Sequence, residues 1–337
     1  MRAPRFWWEP SLSFQARLLR PAGALYTSIA ARRMRRQGER ADLPVICIGN
    51  FTAGGAGKTP TAAAVARLLD AAGESPAFLS RGYGGSLRGP AQVRTDHTAL
   101  DVGDEPILLS GIAPTIVSGD RPAGARLAYE IGATVVVMDD GLQNPSLIKD
   151  CAIAVVDGAT GIGNGLPLPA GPLRAPMEWQ WPKVDAVVVI GMGTPGRRIA
   201  EEAERRDKRV FEASLEPAME AAKSLKGKKV LAFAGIGRPE KFFETLRAYG
   251  AVVEAAHSFP DHHRYKAAEL TALRREAAAR GLQTVTTEKD YARVAAVKDA
   301  GPWPDLTVLP VRLRIENEAG LRNLLLRRIN ERRLHVA

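Results

Sequence analysis

The sequence has little cysteine, few aromatic residues and no long uncharged apolar run. Its 337 residues include 2 cysteines and 6% aromatic residues. Cys47 and Cys151 each lie in an apolar strand-like run, so we predict buried thiols rather than a disulfide or a metal pair. The missing apolar run predicts no transmembrane helix, and the N-terminus lacks the features of a secretory signal. We therefore expect a protein that stays in the cytoplasm.

Acidic residues are scarce relative to basic ones, and most of all near the N-terminus. The net charge is +10, and the first forty residues hold nine arginines against only Glu9 and Glu39. This balance favours an anionic partner such as a nucleotide, a nucleic acid or an acidic membrane surface. The length predicts two domains.

Residues 11–36 are predicted to be helical, with a break near Pro21. Trp7 and Trp8 precede this helix, and arginines flank an apolar stripe on one of its faces. The stripe consists of Leu18, Ala22, Leu25, Tyr26 and Ile29. A basic amphipathic helix of this kind is typical of interfacial membrane binding. The alternative is a helix that packs on its own domain and leaves a basic face in solvent.

From residue 44 onward, short apolar runs alternate with helical patterns, which predicts an α/β fold with a mostly parallel, doubly wound sheet. A second alternating series begins near residue 228 and predicts a smaller α/β lobe. We predict three regions: an N-terminal membrane-associating helix region (1–40), a P-loop ATP-binding catalytic domain (41–222) and a smaller domain that closes the cleft (223–337). The charged stretch 212–228 is the predicted linker, and the last helix could belong to either lobe.

A glycine-rich P-loop follows the first apolar strand. Its residues are Thr52, Ala53, Gly54, Gly55, Ala56, Gly57, Lys58 and Thr59. Glycines allow backbone N–H groups to surround phosphate oxygens, Lys58 can reach the β- and γ-phosphates, and Thr59 can offer its hydroxyl to Mg²⁺. The helix that follows points its positive end at the anion. The usual spacing has glycine where this chain has Thr52.

Two carboxylate pairs are candidates for metal binding and catalysis. Asp139 and Asp140 end a Val-rich strand, which is the Walker-B arrangement that delivers a carboxylate to Mg²⁺. Asp104 and Glu105 lie in a loop and could supply a base for an attacking hydroxyl together with a metal ligand. The division of metal ligation among Glu105, Asp139 and Asp140 stays open at this point.

Basic and histidine side chains complete the predicted site. Arg81 follows a strand and suits a bidentate phosphate contact, although a surface arginine in a glycine turn fits the same pattern. Arg174 ends a Gly- and Pro-rich loop of the kind that is often functional. His262 lies in a short run after a strand of the second lobe, where it could relay a proton for a carboxylate or simply begin a helix. The run 286–290 is ambiguous, and Thr287 fits a helix N-cap.

Taken together, these segments resemble the tetraacyldisaccharide 4′-kinase family, the lipid A 4′-kinases of Gram-negative envelope synthesis. The resemblance extends in order over nearly the whole chain, through residues 49–50, 52–60, 80–84, 103–106, 139–143, 168–174, 261–263 and 286–290. Thr52 at the first glycine position is normal for this family. Asn144 stands where the family often has His, so this chain has no ring nitrogen at that position.

The resemblance implies transfer of the ATP γ-phosphoryl group to the 4′-hydroxyl of a lipid-linked disaccharide 1-phosphate. It implies that Lys58 and the loop from Thr52 hold ATP, and that Thr59, Glu105, Asp139 and Asp140 are the candidate Mg²⁺ ligands. Asp104 with His262 resembles the pair that activates the sugar hydroxyl. Arg81 and Arg174 are the candidate substrate contacts. The implied location is peripheral, on the cytoplasmic face of the bacterial inner membrane.

Two other functions fit parts of the sequence. A membrane-associated P-loop ATPase or GTPase switch would share the double glycine, but those loops carry a signature lysine where this chain has Ala53. The other interpretation is a membrane- or nucleic-acid-binding protein that uses no nucleotide. Only the basic N-terminus supports it. We expect neither nucleic acid nor an obligate protein partner.

Overall fold

The structure is a computed structural model, and it describes residues 4–9 and 11–335. Within these residues the chain forms thirteen strands. They are β1 (Val45–Gly49), β2 (Pro76–Ser80), β3 (Ala91–Gln92), β4 (Thr115–Val117), β5 (Val135–Asp139), β6 (Cys151–Asp157), β7 (Ala186–Ile190), β8 (Arg209–Pro217), β9 (Lys229–Ala234), β10 (Val252–Ser258), β11 (Gln283–Thr287), β12 (Thr307–Leu309) and β13 (Val311–Ile315).

The same part of the chain holds twelve α-helices and three short 3₁₀ helices, at Arg5–Trp7, Trp181–Lys183 and Lys298–Ala300. The α-helices are α1 (Phe14–Met34), α2 (Lys58–Asp70), α3 (Ala99–Val102), α4 (Asp104–Ser110), α5 (Arg121–Glu130), α6 (Met177–Gln180), α7 (Thr194–Glu204), α8 (Met219–Ser224), α9 (Pro239–Ala248), α10 (Ala267–Arg280), α11 (Glu288–Ala295) and α12 (Glu318–Leu334).

Nine strands form one large sheet in the order β13-β8-β7-β6-β1-β5-β2-β4-β3. Only the two edge pairs, β13 with β8 and β3 with β4, are antiparallel. The strands β1, β5, β6 and β7 are buried along their whole length, as expected for parallel strands that are covered by helices on both faces. The predicted doubly wound α/β fold is confirmed.

Cys47 and Cys151 are buried and unpaired, and burial raises the pKa of the Cys47 thiol to about 11.

The smaller lobe is built on a parallel sheet of four strands in the order β10-β9-β11-β12. One residue after β12, the chain returns to the large sheet, because β13 pairs with β8 from Val311 onward. The last helix, α12, follows β13 and contributes Leu321, Leu325 and Ile329 to the core that covers one face of the large sheet. The stretch 212–228, predicted as a linker, begins inside β8, so its first residues are part of the large sheet. Strand β8 alternates between more exposed and buried residues, and its exposed positions carry charged side chains. In the sequence this charge resembles that of a linker.

Helix α1 runs through Pro21 without interruption, so the predicted break is wrong. A proline inside a helix removes one N–H from the hydrogen-bond ladder and crowds the carbonyl of residue i−4, yet the residues on both sides of Pro21 remain helical. Gly23 lies on the packed face of α1, where a Cβ would come within 3.5 Å of the Pro167 carbonyl oxygen. The predicted apolar stripe points the other way: Leu18, Leu25 and Ile29 are 69%, 67% and 63% exposed. Among the described residues, no helix is both long and apolar enough to span a bilayer.

Candidate active site

The P-loop joins the end of β1 to the start of α2 at the carboxyl edge of the large sheet. Gly57 is the N-cap of α2 and has a φ of +92°, a left-handed conformation that only glycine adopts readily. A Cβ at Gly57 would also lie 2.5 Å from Cδ1 of Ile190, so a side chain here would have to displace that methyl group. A Cβ at Gly54 or Gly55 would meet nothing within 4 Å. The loop therefore opens toward free space, as an anion site requires.

The P-loop makes backbone and side-chain hydrogen bonds to the Gly- and Pro-rich loop that ends at Arg174, which the sequence predicts to be functional. The Ala53 N–H donates to the carbonyl of Pro172 at 2.7 Å, and Thr52 forms a β-bridge with Leu173. Arg174 donates from Nε to the Thr52 carbonyl at 3.1 Å and from Nη2 to Asp140 Oδ2 at 3.1 Å. Arg174 thus braces the P-loop against the Walker-B carboxylate.

The side chains of the P-loop face the strand-end carboxylates. Lys58 Nζ lies 3.4 Å from the Gly54 carbonyl oxygen and 3.7 Å from Asp140 Oδ1. Thr59 is buried at the first turn of α2. Strands β1 and β5 are parallel neighbours in which Ile48 is paired with Asp139, so the P-loop and the Walker-B carboxylates leave the sheet side by side.

Asp139 and Asp140 have opposite electrostatic environments. Asp139 is 1% exposed, and its Oδ1 has no hydrogen-bond partner among the residues that the structure describes. Burial, together with the charges of Glu105 and Asp140, raises the Asp139 pKa to about 7. Burial also opposes ionisation of Asp140, but Lys58 and Arg174 outweigh it and lower the pKa of that carboxyl. The pair therefore combines one carboxyl whose pKa is lowered by its cations with one whose pKa is raised by burial and neighbouring negative charges.

The second carboxylate pair begins α4 and faces the smaller lobe. Asp104 is buried, and its Oδ2 accepts from Nε of Arg293 at 2.9 Å and also from Nη2 of that residue. His262 Nδ1 lies 3.5 Å from the same oxygen. Although burial opposes it, His262 and Arg293 hold the pKa of Asp104 well below its usual range, and the hydrogen bond to Asp104 raises the pKa of His262.

Glu105 is paired with a lysine of the smaller lobe. Lys289 Nζ donates to Glu105 Oε1 at 2.7 Å. Burial raises the pKa of Glu105, but the attraction of Lys289 outweighs it, and the net pKa is lowered. Lys289 and Arg293 lie one turn apart on α11, so a single helix supplies a cation to each member of the 104–105 pair.

Neither Lys289 nor Arg293 was assigned a role from the sequence. The run 286–290 was read as ambiguous, with Thr287 as a helix N-cap. That N-cap is present, because the Thr287 hydroxyl accepts from the Asp290 N–H at 3.2 Å. The spacing of four residues between Lys289 and Arg293 was the available signal, since it places both cations on one face of a helix.

The remaining predicted residues lie around this cleft. Arg81 is exposed directly after β2, and its substrate role stays a prediction. Tyr83 in the same turn contacts the His262 ring edge-on, with 5.3 Å between the ring centroids. Asn144 accepts at its Oδ1 from the N–H of Ser146 at 2.8 Å and from its hydroxyl at 2.7 Å. Its amide oxygen therefore stabilises its own turn.

Arg121 is a further buried cation that sequence reasoning missed. It is 2% exposed at the start of α5, and its Nη1 donates to the Ser118 carbonyl at 3.2 Å. Burial lowers its pKa, whereas the negative charge of Asp139 acts in the opposite direction. It therefore contributes positive potential beneath the Walker-B pair.

The chain was compared with known proteins. A family model described as tetraacyldisaccharide-1-P 4′-kinase matches residues 15–330. The tetraacyldisaccharide 4′-kinase of Methylobacterium nodulans is 58% identical over 323 residues, which cover 95% of this chain and 94% of the relative. The corresponding protein of Rhodopseudomonas palustris is 48% identical, with 99% and 98% of the two chains covered.

A solved structure gives the same result. The crystal structure of LpxK from Aquifex aeolicus in complex with ATP superposes with a TM-score of 0.73 at 26% identity and covers 93% of this chain and 99% of that one. The family resemblance inferred from the sequence motifs is confirmed, and the alternative of a P-loop switch protein is not favoured. The chain therefore belongs to the tetraacyldisaccharide-1-phosphate 4′-kinase family, and its activity is that of a lipid A 4′-kinase.

Proposed function

We propose that this kinase transfers the γ-phosphoryl group of ATP to the 4′-hydroxyl of a tetraacyldisaccharide 1-phosphate in the cleft between its two lobes. The observation that carries the proposal is that the P-loop and the Asp104–His262 pair converge on one cleft. A Cβ placed at Gly237 of the smaller lobe would lie 3.9 Å from the Gly55 backbone nitrogen, and Lys289 of that lobe binds Glu105 beside the base. We propose that the smaller domain closes on this cleft.

The P-loop is the donor side of the reaction. The backbone from Thr52 to Thr59 would surround the ATP phosphates, and Lys58 would exchange its contacts with Gly54 and Asp140 for phosphate oxygens. The ATP complex of the Aquifex relative supports the choice of nucleotide. Lys58 is freed for this purpose at low cost, because Arg174 continues to neutralise Asp140.

The residues at the edge of β5 fit a magnesium ion. Asp139 Oδ1 is buried and has no hydrogen-bond partner in the described part of the chain. Thr59, Glu105 and Asp140 supply further oxygen ligands of the type that Mg²⁺ prefers. Among the described residues, no three His, Cys, Asp or Glu side chains form a ready metal cage. That agrees with an ion held by one or two carboxylates and the substrate phosphates. When bound, Mg²⁺ neutralises charge on the β- and γ-phosphate oxygens.

Asp104 and His262 are the acceptor side. Asp104 stays ionised because His262 and Arg293 lower its pKa, so it can accept a hydrogen bond from the 4′-hydroxyl and aim that oxygen at the γ-phosphorus. Phosphoryl transfer depends more on positioning and charge neutralisation than on full proton removal before attack. As the bond from the 4′-oxygen to the γ-phosphorus forms and the bond to the ADP leaving group breaks, the hydroxyl proton passes to Asp104. The hydrogen bond between His262 and Asp104 holds that carboxylate in place for the transfer. Arg81 and Arg174 are proposed to contact the anionic substrate.

We also propose that α1 binds the cytoplasmic face of the inner membrane as a peripheral element. Its packed face carries Gly23 and Met34, whereas Phe14, Leu18 and Leu25 are more than 60% exposed. An apolar stripe that points away from the protein, flanked by arginines, is suited to an anionic lipid surface. This arrangement would bring the lipid substrate to the cleft.

A phosphate-transfer assay with radiolabelled Mg-ATP and tetraacyldisaccharide 1-phosphate tests the reaction. Label should appear in the lipid at the 4′ position and should require both metal and acceptor. ATP hydrolysis that is independent of the lipid and is stimulated by another protein would contradict the proposal and support a switch protein instead. Phosphorylation at another hydroxyl would contradict the assignment of the acceptor atom.

A further inference from the structure

Arg293 of the smaller lobe contacts Asp104 of the larger lobe, the residue proposed above as the catalytic base. It lies on α11 and is 8% exposed, and two of its nitrogens donate to a single oxygen of Asp104. The two residues are 189 positions apart in sequence. This contact is therefore made only when the two lobes are docked.

The rest of the Arg293 guanidinium is fixed within its own lobe. Nη1 donates to the Gly235 carbonyl at 2.6 Å and to Asp290 Oδ1 at 3.0 Å. Asp290 is itself fully buried and accepts from the Tyr265 hydroxyl at 2.9 Å and from the Gly235 N–H at 2.9 Å. The guanidinium therefore cannot rotate without breaking several buried hydrogen bonds.

The two contacts of Asp104 select one of its oxygens for the reaction. Arg293 and His262 both approach Oδ2. Within the described part of the chain, no side chain or backbone N–H donates to Oδ1. Because both donors converge on Oδ2, the planar guanidinium fixes the position of that oxygen and leaves Oδ1 free to accept from another donor. A carboxylate held in this way can align a hydroxyl for in-line attack.

We propose that Arg293 is a positioning residue for the kinase reaction: it locks Asp104 through Oδ2 and thereby aims Oδ1 at the acceptor hydroxyl. The inference rests on the proposed role of Asp104 in the function given above. Within residues 4–9 and 11–335, Arg293 donates hydrogen bonds to Asp104, Gly235 and Asp290, and to neither the P-loop nor the Walker-B carboxylates. Its effect should therefore fall on turnover and not on ATP binding.

The test compares Arg293→Lys, which keeps the charge but loses the fork, with Arg293→Met and with the matched control Arg275→Met on the exposed side of α10. We expect Arg293→Lys to remain folded at the assay temperature with a lowered Tm, because it gives up buried hydrogen bonds. Its kcat should fall by about 10–10²-fold, with an unchanged KM for ATP. Arg275→Met should retain full kcat. An unchanged kcat in Arg293→Lys, or a loss confined to the KM for ATP, would overturn the inference.

A double-variant cycle separates positioning from a general structural effect. If Arg293 acts through Asp104, Arg293→Lys should cost little further turnover in an Asp104→Asn background, because the group it positions is already lost. An equal fold-loss in both backgrounds would contradict the inference. Near-parental turnover in Asp104→Asn alone would instead refute the proposed base, whereas a low turnover there with a normal Arg293→Lys would refute only the positioning role.

Discussion

The outward apolar stripe of α1 leads to a quantitative prediction about membrane binding. Phe14, Leu18, Leu25 and Ile29 lie within about 60° of one another around the helix axis, from 100° per residue. Leu18, Leu25 and Ile29 each expose about two-thirds of their surface. Full burial of such a side chain contributes about 1.5–3 kcal/mol, so these three residues should together contribute roughly 3–6 kcal/mol to insertion into the interface.

The perturbation is the triple variant Leu18→Gln, Leu25→Gln, Ile29→Gln, since glutamine keeps helix propensity while removing the apolar surface. The vesicle partition coefficient should fall by about 10²–10⁴-fold. Co-sedimentation with vesicles of phosphatidylcholine and phosphatidylglycerol measures it. The Tm without vesicles should not change, because the three side chains make few contacts within the protein.

A matched control replaces three exposed apolar residues elsewhere, Leu100, Tyr129 and Met192, by glutamine. These are 49%, 58% and 96% exposed, and their replacement should leave vesicle binding intact. Added salt should weaken the parent, since each arginine near the surface contributes about 1 kcal/mol through charge. If the α1 variant binds as tightly as the control, α1 is not the membrane-binding element.

Three further predictions concern the cleft. Asp104→Asn should lower kcat by about 10²–10⁴-fold with little change in ATP affinity measured by calorimetry, and a parallel loss of affinity would contradict the base role. Asp139→Asn should lower turnover by about 10²-fold and abolish the Mg²⁺-dependent part of the ATP-induced Tm shift; a parental Tm shift would exclude Asp139 from the metal site. The His262 pKa is raised by Asp104, so protonated His262 stabilises the fold below its ordinary pKa of about 6.5, and this stabilisation is lost as the pH rises through the folded-state value. The Tm difference between the parent and His262→Asn, which tolerates the φ of +56° at this position, should therefore be larger near pH 6 than near pH 9, and a difference independent of pH would argue against the pair.

The donor side of the site could be predicted because its parts are contiguous in sequence. A buried strand, a glycine turn and a helix start fall within residues 45–59, and each is specified by local chemistry. The Val-rich run of β5 likewise predicted a strand that ends in Asp139. Such elements are specified by residue propensity and by the apolar pattern of strands that are buried on both sheet faces. A short segment of sequence is enough to recognise either signal.

The acceptor side depends on contacts between distant segments. Lys289 reaches Glu105 over 184 positions and Arg293 reaches Asp104 over 189. Each residue alone resembles an ordinary helix-surface cation, and only the packing of α11 on α4 brings it to a carboxylate. The same limit explains β8, whose alternating charges resembled a linker until its pairing with β7 and β13 was known.

The kinase family, the α/β sheet, the P-loop and the carboxylates could be recognised from the sequence, because local order and residue type suffice for these. Three features became known only from the folded chain. They are the cations that pair with Asp104 and Glu105, the outward direction of the apolar stripe of α1, and the return of the chain to the large sheet at Val311. These features depend on long-range packing, whose geometry no short segment of the chain contains.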